Sequence, residues 1–93
     1  MRGDELIARR RVLLIHLYNE GAEGPDCAMR YDRLGFLLRL DDAEFGEVFD
    51  NAEDAGLVRA SGITSSFQGR VFATSRFWLT DRGIEEASGL VSQ

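Results

Sequence analysis

Apolar residues recur at helical spacing near the start of the chain. Between Asp4 and Glu20 they lie three and four residues apart, which predicts a first helix with Asp4 as its N-cap and Gly21 as its stop. These residues are Leu6, Ile7, Leu13, Leu14 and Leu17. The opposite face of this helix is also apolar and is a possible homodimer face. That face comprises Ala8, Val12 and Ile15, and the C-terminal segment of the same chain is an equal candidate to cover it.

Two further helices are predicted after a loop over 21–29, which holds the only proline and no periodicity. The second helix ends near Leu40 and is indicated by Tyr31, Leu34, Leu37 and Leu38. Asp41 then caps a third helix that runs to about Ala55, while Glu44 reaches back to complete a capping box. Gly56 suits the left-handed conformation that commonly ends a helix.

The pattern changes at Leu57, where β-branched and aromatic residues surround a turn with the sequence SSFQG over 65–69. This pattern predicts two strands joined as a hairpin over 57–79. Thr80 is placed to cap a short closing helix, with Asp81 in its first turn. The weak apolar edge of that helix is Ile84, Ala87 and Val91.

Two stretches resemble winged-helix transcriptional regulators of the MarR-like and PadR-like kinds. The sequence AEDAGLV over 52–58 is similar to the end of their third helix running into the wing. The sequence FWLTDRG over 77–83 is similar to their return strand and the helix that follows. The resemblance covers about 4–90 and implies an α+β fold. It implies one winged helix-turn-helix domain over 1–93: three helices, a β-hairpin wing and a short C-terminal helix. The implied function is non-enzymatic, DNA-binding transcription regulation, with a dimer expected.

The predicted third helix is acidic, which bears directly on that implied function. Residues 41–54 hold seven acids and no basic residue, whereas the rest of the chain holds eleven Arg and nine acids. In winged-helix regulators this helix enters the major groove of DNA. Its outward face is predicted to comprise Ala43, Gly46, Glu47, Asp50, Asn51 and Asp54. None of these side chains can neutralise a phosphate.

Arginines of the hairpin offer another route to DNA. Arg59, Arg70 and Arg76 would form a basic wing, and a turn at Phe67-Gln68 would set Arg59 opposite Arg76. Such a pair favours a phosphate between the two guanidinium groups. The sequence therefore predicts binding to double-stranded DNA mainly through the wing. The alternative is a protein-interaction module whose acidic third helix docks a basic protein partner or imitates nucleic-acid charge; a solvated face without a partner also stays open.

Motifs for catalysis and metal binding are absent from the sequence. There is no Gly-rich phosphate loop, nucleophile elbow or metal-ligand run, so we expect no enzyme activity, no cofactor and no metal. His16 is expected to be a partly buried structural residue, and Cys27 a free thiol in a loop. The net charge of −5, the lack of a membrane-length apolar run and an N-terminus without a signal-peptide pattern lead us to expect a cytoplasmic protein away from membranes.

Overall fold

A computed structural model describes residues 2–92, and these residues form an α+β fold. Its first half contains α1 (Gly3–Asn19), a 3₁₀ turn (Pro25–Cys27), β1 (Met29–Arg30), α2 (Tyr31–Leu38) and α3 (Asp42–Asp54). Its second half contains β2 (Val58–Ser61), β3 (Thr64–Ser66), β4 (Gly69–Val71), β5 (Arg76–Leu79) and α4 (Asp81–Val91). Within this described range no helix has the length and apolar character needed to cross a membrane.

The strands form two small antiparallel sheets. In the larger sheet β5 lies between β1 and β2. Strands β3 and β4 pair only with each other around the turn at Phe67 and Gln68, and we call this unit, residues 64–71, the outer hairpin. Side chains alternate between the faces of the larger sheet: Met29, Phe77 and Leu79 point into the core, so their strand neighbours point outward.

One hydrophobic core joins the helices to the inner face of that sheet. Leu13, Leu14 and Leu17 of α1 are almost fully buried, as the predicted apolar stripe requires. The aromatic part of the core is built around Phe45, whose ring meets the ring of Phe77 edge to face with centroids 5.1 Å apart. Aromatic pairs in this geometry add stability beyond the area that they bury.

The predicted start of α1 is wrong. Helix α1 begins at Gly3 with Arg2 as its N-cap, and Arg2 makes no side-chain capping bond. Asp4 lies inside the first turn, where its carboxylate accepts hydrogen bonds from the Arg2 guanidinium and the backbone N–H of Glu5. An acid in the first turn interacts favourably with the helix dipole. Asp4 therefore marks the start of the helix in the sequence, although it lies two residues after the true N-cap.

The capping predictions for α3 and α4 are confirmed. Asp41 accepts a hydrogen bond from the backbone N–H of Glu44 at 2.8 Å, and the Glu44 side chain accepts one from Asp41. Gly56, with φ of 75°, follows the C-cap of α3. The Thr80 hydroxyl accepts from the backbone N–H of Gly83 at 3.0 Å and so caps α4.

The loop prediction over 21–29 is correct only in part. The segment contains the 3₁₀ turn and leads directly into β1, a two-residue strand that the sequence pattern did not reveal. Helix α2 also ends two residues earlier than predicted, because Arg39 takes the left-handed conformation with φ of 55°. That geometry turns the chain from α2 toward α3.

Candidate nucleic-acid interface

The predicted pairing of Arg59 with Arg76 is wrong by two residues. Arg59 lies opposite Trp78, and Arg76 lies opposite Ser61. The outer hairpin does have the predicted register about its turn. The register shift arises between the outer hairpin and the larger sheet. Two residues connect β2 to β3, whereas four connect β4 to β5. Arg59 and Arg76 are therefore diagonal neighbours on the outward face, at a spacing of about 7–8 Å between such positions.

The structure instead places a different arginine directly opposite Arg76. Arg30 of β1 pairs with Arg76 of β5 in the register of the larger sheet, and both side chains are exposed. Arg30, Arg76 and Arg59 thus lie together on one sheet face, and we call them the arginine cluster. Arg30 could not be predicted as part of this face, because β1 has only two residues and no detectable alternation.

Members of the arginine cluster differ in their acidic neighbours. Arg30 forms a salt bridge with Asp32 at 2.7 Å, and its guanidinium holds the pKa of the Asp32 carboxyl below the ordinary value. The side chains of Arg59 and Arg76 have no hydrogen-bond or ion-pair partner among residues 2–92. Two of the three positive charges are consequently available to an anion from outside the chain.

Grooves flank the arginine cluster on two sides. One has a volume of about 470 Å³ and is bordered by Arg30, Arg33, Arg76 and Cys27. The second, of about 270 Å³, is bordered by Arg30, Arg76, Thr74, Ser75 and also by the acidic Asp32. Glu20 and Asp32 also border the first groove, where Glu20 accepts a hydrogen bond from Arg33 at 2.6 Å. The surface beside the cluster is therefore concave and mixed in charge.

Arg70, the third predicted wing arginine, is held on α3 and lies apart from the other two. Its guanidinium donates two hydrogen bonds to the Asp50 carboxylate, at 2.7 and 3.0 Å, and lies over the Phe72 ring at 5.3 Å. This bidentate pair neutralises Arg70. It also links the outer hairpin to the third helix.

Gly46 does not lie on the open outward face predicted for it. It is buried beneath the outer hairpin, and a Cβ at this position would lie 2.6 Å from the Arg70 guanidinium. Gly46 was predicted to face outward from the helical periodicity of α3 alone, which carries no information on the hairpin that folds over this helix. The shallow space left there is a groove of about 250 Å³ between Asp42, Gly46 and Gln68.

Asn51 is also unlike a free base-reading residue. Its side-chain oxygen accepts a hydrogen bond from Arg10 of α1 at 2.9 Å, and the side chain is half-buried. Four members of the predicted outward face are exposed: Ala43, Glu47, Asp50 and Asp54. The accessible surface of α3 is therefore acidic along its length, with one guanidinium, that of Arg70, bonded to Asp50.

Tyr31 connects the start of α2 to the start of the acidic helix. Its hydroxyl donates a hydrogen bond to Asp42 at 2.5 Å. Partial burial, and then this bond to a carboxylate, raise the pKa of Tyr31 far above its ordinary value. Both effects favour the protonated phenol, which occupies one oxygen of Asp42.

The possible homodimer face on α1 is only partly covered by the chain itself. Ala8 and Val12 are exposed, and Ile15 is half-buried. Ile7 adds a further apolar side chain that is 40% exposed. Helix α4 packs along α1, so the two explanations given for this face each account for part of it.

The single Cys lies in the 3₁₀ turn before β1, and the single His lies in α1. Cys27 is exposed, and its thiol donates a hydrogen bond to the carbonyl of Gly24. His16 is half-buried in α1. Among residues 2–92 no group of three or more His, Cys, Asp or Glu side chains is arranged to hold a metal ion.

Comparisons of the chain with protein-family models, with curated proteins and with solved structures gave no match.

Proposed function

We propose that this chain is a non-enzymatic winged-helix domain that binds the phosphate backbone of double-stranded DNA. The order of elements supports the winged-helix assignment: α1, β1, α2 and α3 precede a strand, a hairpin and a returning strand that pairs between β1 and β2. In this proposal the wing comprises β2, the outer hairpin and β5. One fold can host many functions, so the proposed function has to rest on the residues of the site.

The observation that carries the proposal is the arginine cluster. Two arginines stand directly opposite across β1 and β5, and a third lies on the diagonal. Asp32 already supplies an anion to Arg30, whereas the guanidinium groups of Arg59 and Arg76 have no acidic partner among the described residues of this face. Like charges placed close together on a sheet are unfavourable, so these two groups favour an anion from outside the chain. A phosphate is the natural occupant, because a guanidinium can donate two parallel hydrogen bonds to its oxygens.

The proposed contact is to phosphates and not to base edges. Helix α3, which would have to read the major groove, exposes acids and offers no basic side chain of its own. Phosphate contacts position a protein on DNA but carry no sequence information. We therefore expect affinity that is weak, strongly dependent on salt and nearly independent of base sequence.

Fluorescence anisotropy with a random-sequence duplex at about 50 mM and about 200 mM salt tests this proposal. We expect binding at the lower salt and a steep loss at the higher. Substituting both unpaired arginines, Arg59→Ala with Arg76→Ala, should weaken binding and reduce the salt slope by roughly two, about one for each phosphate that is no longer neutralised.

The matched control is Arg11→Ala with Arg82→Ala, which removes the same charge from exposed positions on α1 and α4. This variant should keep most of the affinity of the natural chain. Failure of the natural chain to bind at about 50 mM salt would overturn the proposal. Equal losses in the two variants would instead assign the binding to net charge alone.

A second candidate function is favoured by the contact between Arg70 and Asp50. The acidic face of α3 already takes a guanidinium in bidentate geometry, so we also consider docking of a basic protein on this face. A short arginine-rich peptide is a suitable probe. Its binding should be lost on changing Glu47, Asp50 and Asp54 to Lys, but retained when Glu85 and Glu86 of α4 are changed to Lys.

A further inference from the structure

Phe67 is the most exposed large apolar side chain in the described part of the molecule. Its ring is 98% exposed at the turn of the outer hairpin, and it makes no ring contact with another aromatic residue within residues 2–92. Phe36 on α2 is the next, at 75%. An isolated exposed apolar residue is ordinary on protein surfaces, so exposure alone is not informative. The surroundings of Phe67 are more informative than its exposure.

The turn that carries Phe67 is fixed by its own hydrogen bonds. The Ser66 hydroxyl donates to the carbonyl of Gly69 at 3.1 Å and accepts from the backbone N–H of Gln68 at 3.2 Å. Gly69 supplies the positive φ, 120°, that the return of the chain requires. These bonds restrain the backbone that carries Phe67, which lowers the backbone entropy lost when its side chain is bound.

The outer hairpin is in turn fixed to the body of the protein. Arg70 is bonded to Asp50 of α3, and Phe72, which follows β4 directly, is only 2% exposed. Arg70 therefore links the outer hairpin to α3, and Phe72 anchors its end in the core. From Ser61, which is paired with Arg76, to Phe67 the chain extends six residues, or at most about 20 Å.

The tip of the hairpin carries no charge. Residues 63–69 contain neither acids nor bases, and beside Phe67 they offer the polar side chains of Ser65 and Gln68. A neutral tip meets little repulsion from phosphates, in contrast to α3. Hydroxyl and amide groups can donate to the acceptors that line the minor groove, which is about 6 Å wide.

We propose that Phe67 is an apolar wedge that enters the minor groove of the duplex held by the arginine cluster and partly unstacks one base step. This inference rests on the proposed function. Insertion of an apolar side chain between base pairs bends the duplex toward the major groove by roughly 20–90°. The bend brings more of the phosphate backbone onto the protein, and it makes the chain a shape-selective DNA binder without contacts to base edges from α3.

Bending of a duplex of about 30 base pairs, labelled at its two ends for energy transfer, tests the wedge. The natural chain should raise the transfer efficiency on binding, and a 2-aminopurine placed in the duplex should brighten as its stacking is lost. Phe67→Ala should abolish both signals and weaken binding roughly tenfold, while leaving the salt slope unchanged because the phosphate contacts remain.

Phe36→Ala is the matched control, since it removes the other strongly exposed phenylalanine and should keep the bend. Binding by the natural chain without bending or unstacking would overturn the wedge and leave the proposed function standing. Bending retained by Phe67→Ala would also overturn it. Absence of any duplex binding would overturn the wedge together with the proposed function.

Discussion

Gly83 and Gly89 lie in the same helix, α4, but in opposite surroundings. A Cβ on Gly83 would lie 1.9 Å from the carbonyl oxygen of Leu57 and 2.9 Å from its carbonyl carbon. Both of these Leu57 atoms belong to the backbone, so they cannot move aside as a flexible side chain could. Nothing lies within 4 Å of a Cβ on Gly89. We expect Gly83→Ala to lower the free energy of unfolding by about 1–3 kcal/mol or more. Gly89→Ala should raise it by about 0.5–1 kcal/mol.

Urea unfolding of both variants measures this difference. Each substitution adds one methyl group to α4, so helix propensity is the same in both and only the contact with Leu57 differs. A Gly83→Ala variant as stable as Gly89→Ala would contradict the close packing of α4 against the start of β2.

Tyr31 makes the stability of the protein fall at alkaline pH. Its pKa is raised in the folded state, so above pH of about 10 the unfolded chain loses a proton that the folded chain keeps. The contribution of Tyr31 is thus complete below about pH 10 and declines as pH rises further. Tyr31→Phe, which cannot ionise, should show a shallower decline in the urea midpoint between about pH 9 and about pH 11. An identical decline in both proteins would exclude this cause.

The exposure of individual side chains was predicted correctly where it depends on one helix alone. It was predicted wrongly where a second element contacts that helix. The helical periodicity of α3 correctly predicted that Glu47 and Asp54 are exposed. It could not foresee that Arg70 would cover Gly46 or that Arg10 would bond Asn51, because both partners are distant along the chain. Tertiary contacts of this kind leave no periodic signal in the covered residue.

At the scale of elements, Thr80 joins α4 to the end of α3. Its hydroxyl caps α4 through Gly83 and also donates a hydrogen bond to the carbonyl of Gly56 at 2.6 Å. We expect Thr80→Ala to cost about 1–2 kcal/mol, because it removes a cap and leaves the Gly56 carbonyl without this partner. Thr80→Ser keeps the hydroxyl and should retain most of the stability. Urea unfolding of the two variants distinguishes loss of the hydroxyl from loss of the methyl group.

Among the elements, helices were easier to predict than strands. Caps such as Asp41 with Glu44 are local, so the sequence contains the whole signal. The register of β2 against β5 depends on connections on both sides of the outer hairpin, and their unequal lengths moved it by two residues. Strand β1 is too short to alternate, so the partner of Arg76 could not be identified from the sequence.

On the scale of the whole molecule, the charge is unevenly distributed. The segment 41–54 carries all of the net negative charge, and the ion pair that relieves it, between Arg70 and Asp50, is exposed to solvent. Exposed ion pairs contribute little to stability, whereas the six acids of α3 and its N-cap Asp41 repel one another along the whole helix. We therefore expect the thermal midpoint to rise as sodium chloride increases from about 50 mM to about 1 M. Asp54→Asn should reduce this rise, and a falling midpoint would show that attractive pairs dominate.

Association of two copies through α1 stays a prediction that the partial exposure of its apolar face makes testable. If Ala8 and Val12 contact a second copy, the natural chain should sediment as a dimer and Val12→Glu as a monomer. The exposed control position Phe36→Glu should leave the sedimentation unchanged. A monomeric natural chain would leave these residues as ordinary exposed apolar side chains.

Trp78, which lies opposite Arg59 on the outer sheet face, gives the molecule an internal optical reporter. It is the only tryptophan in the chain, so all indole emission originates from one half-buried position between the core and the arginine cluster. Its emission wavelength should follow unfolding, and its intensity should respond to an anion held beside Arg59. One spectrum can therefore separate a variant that has lost its structure from a variant that has lost only its ligand.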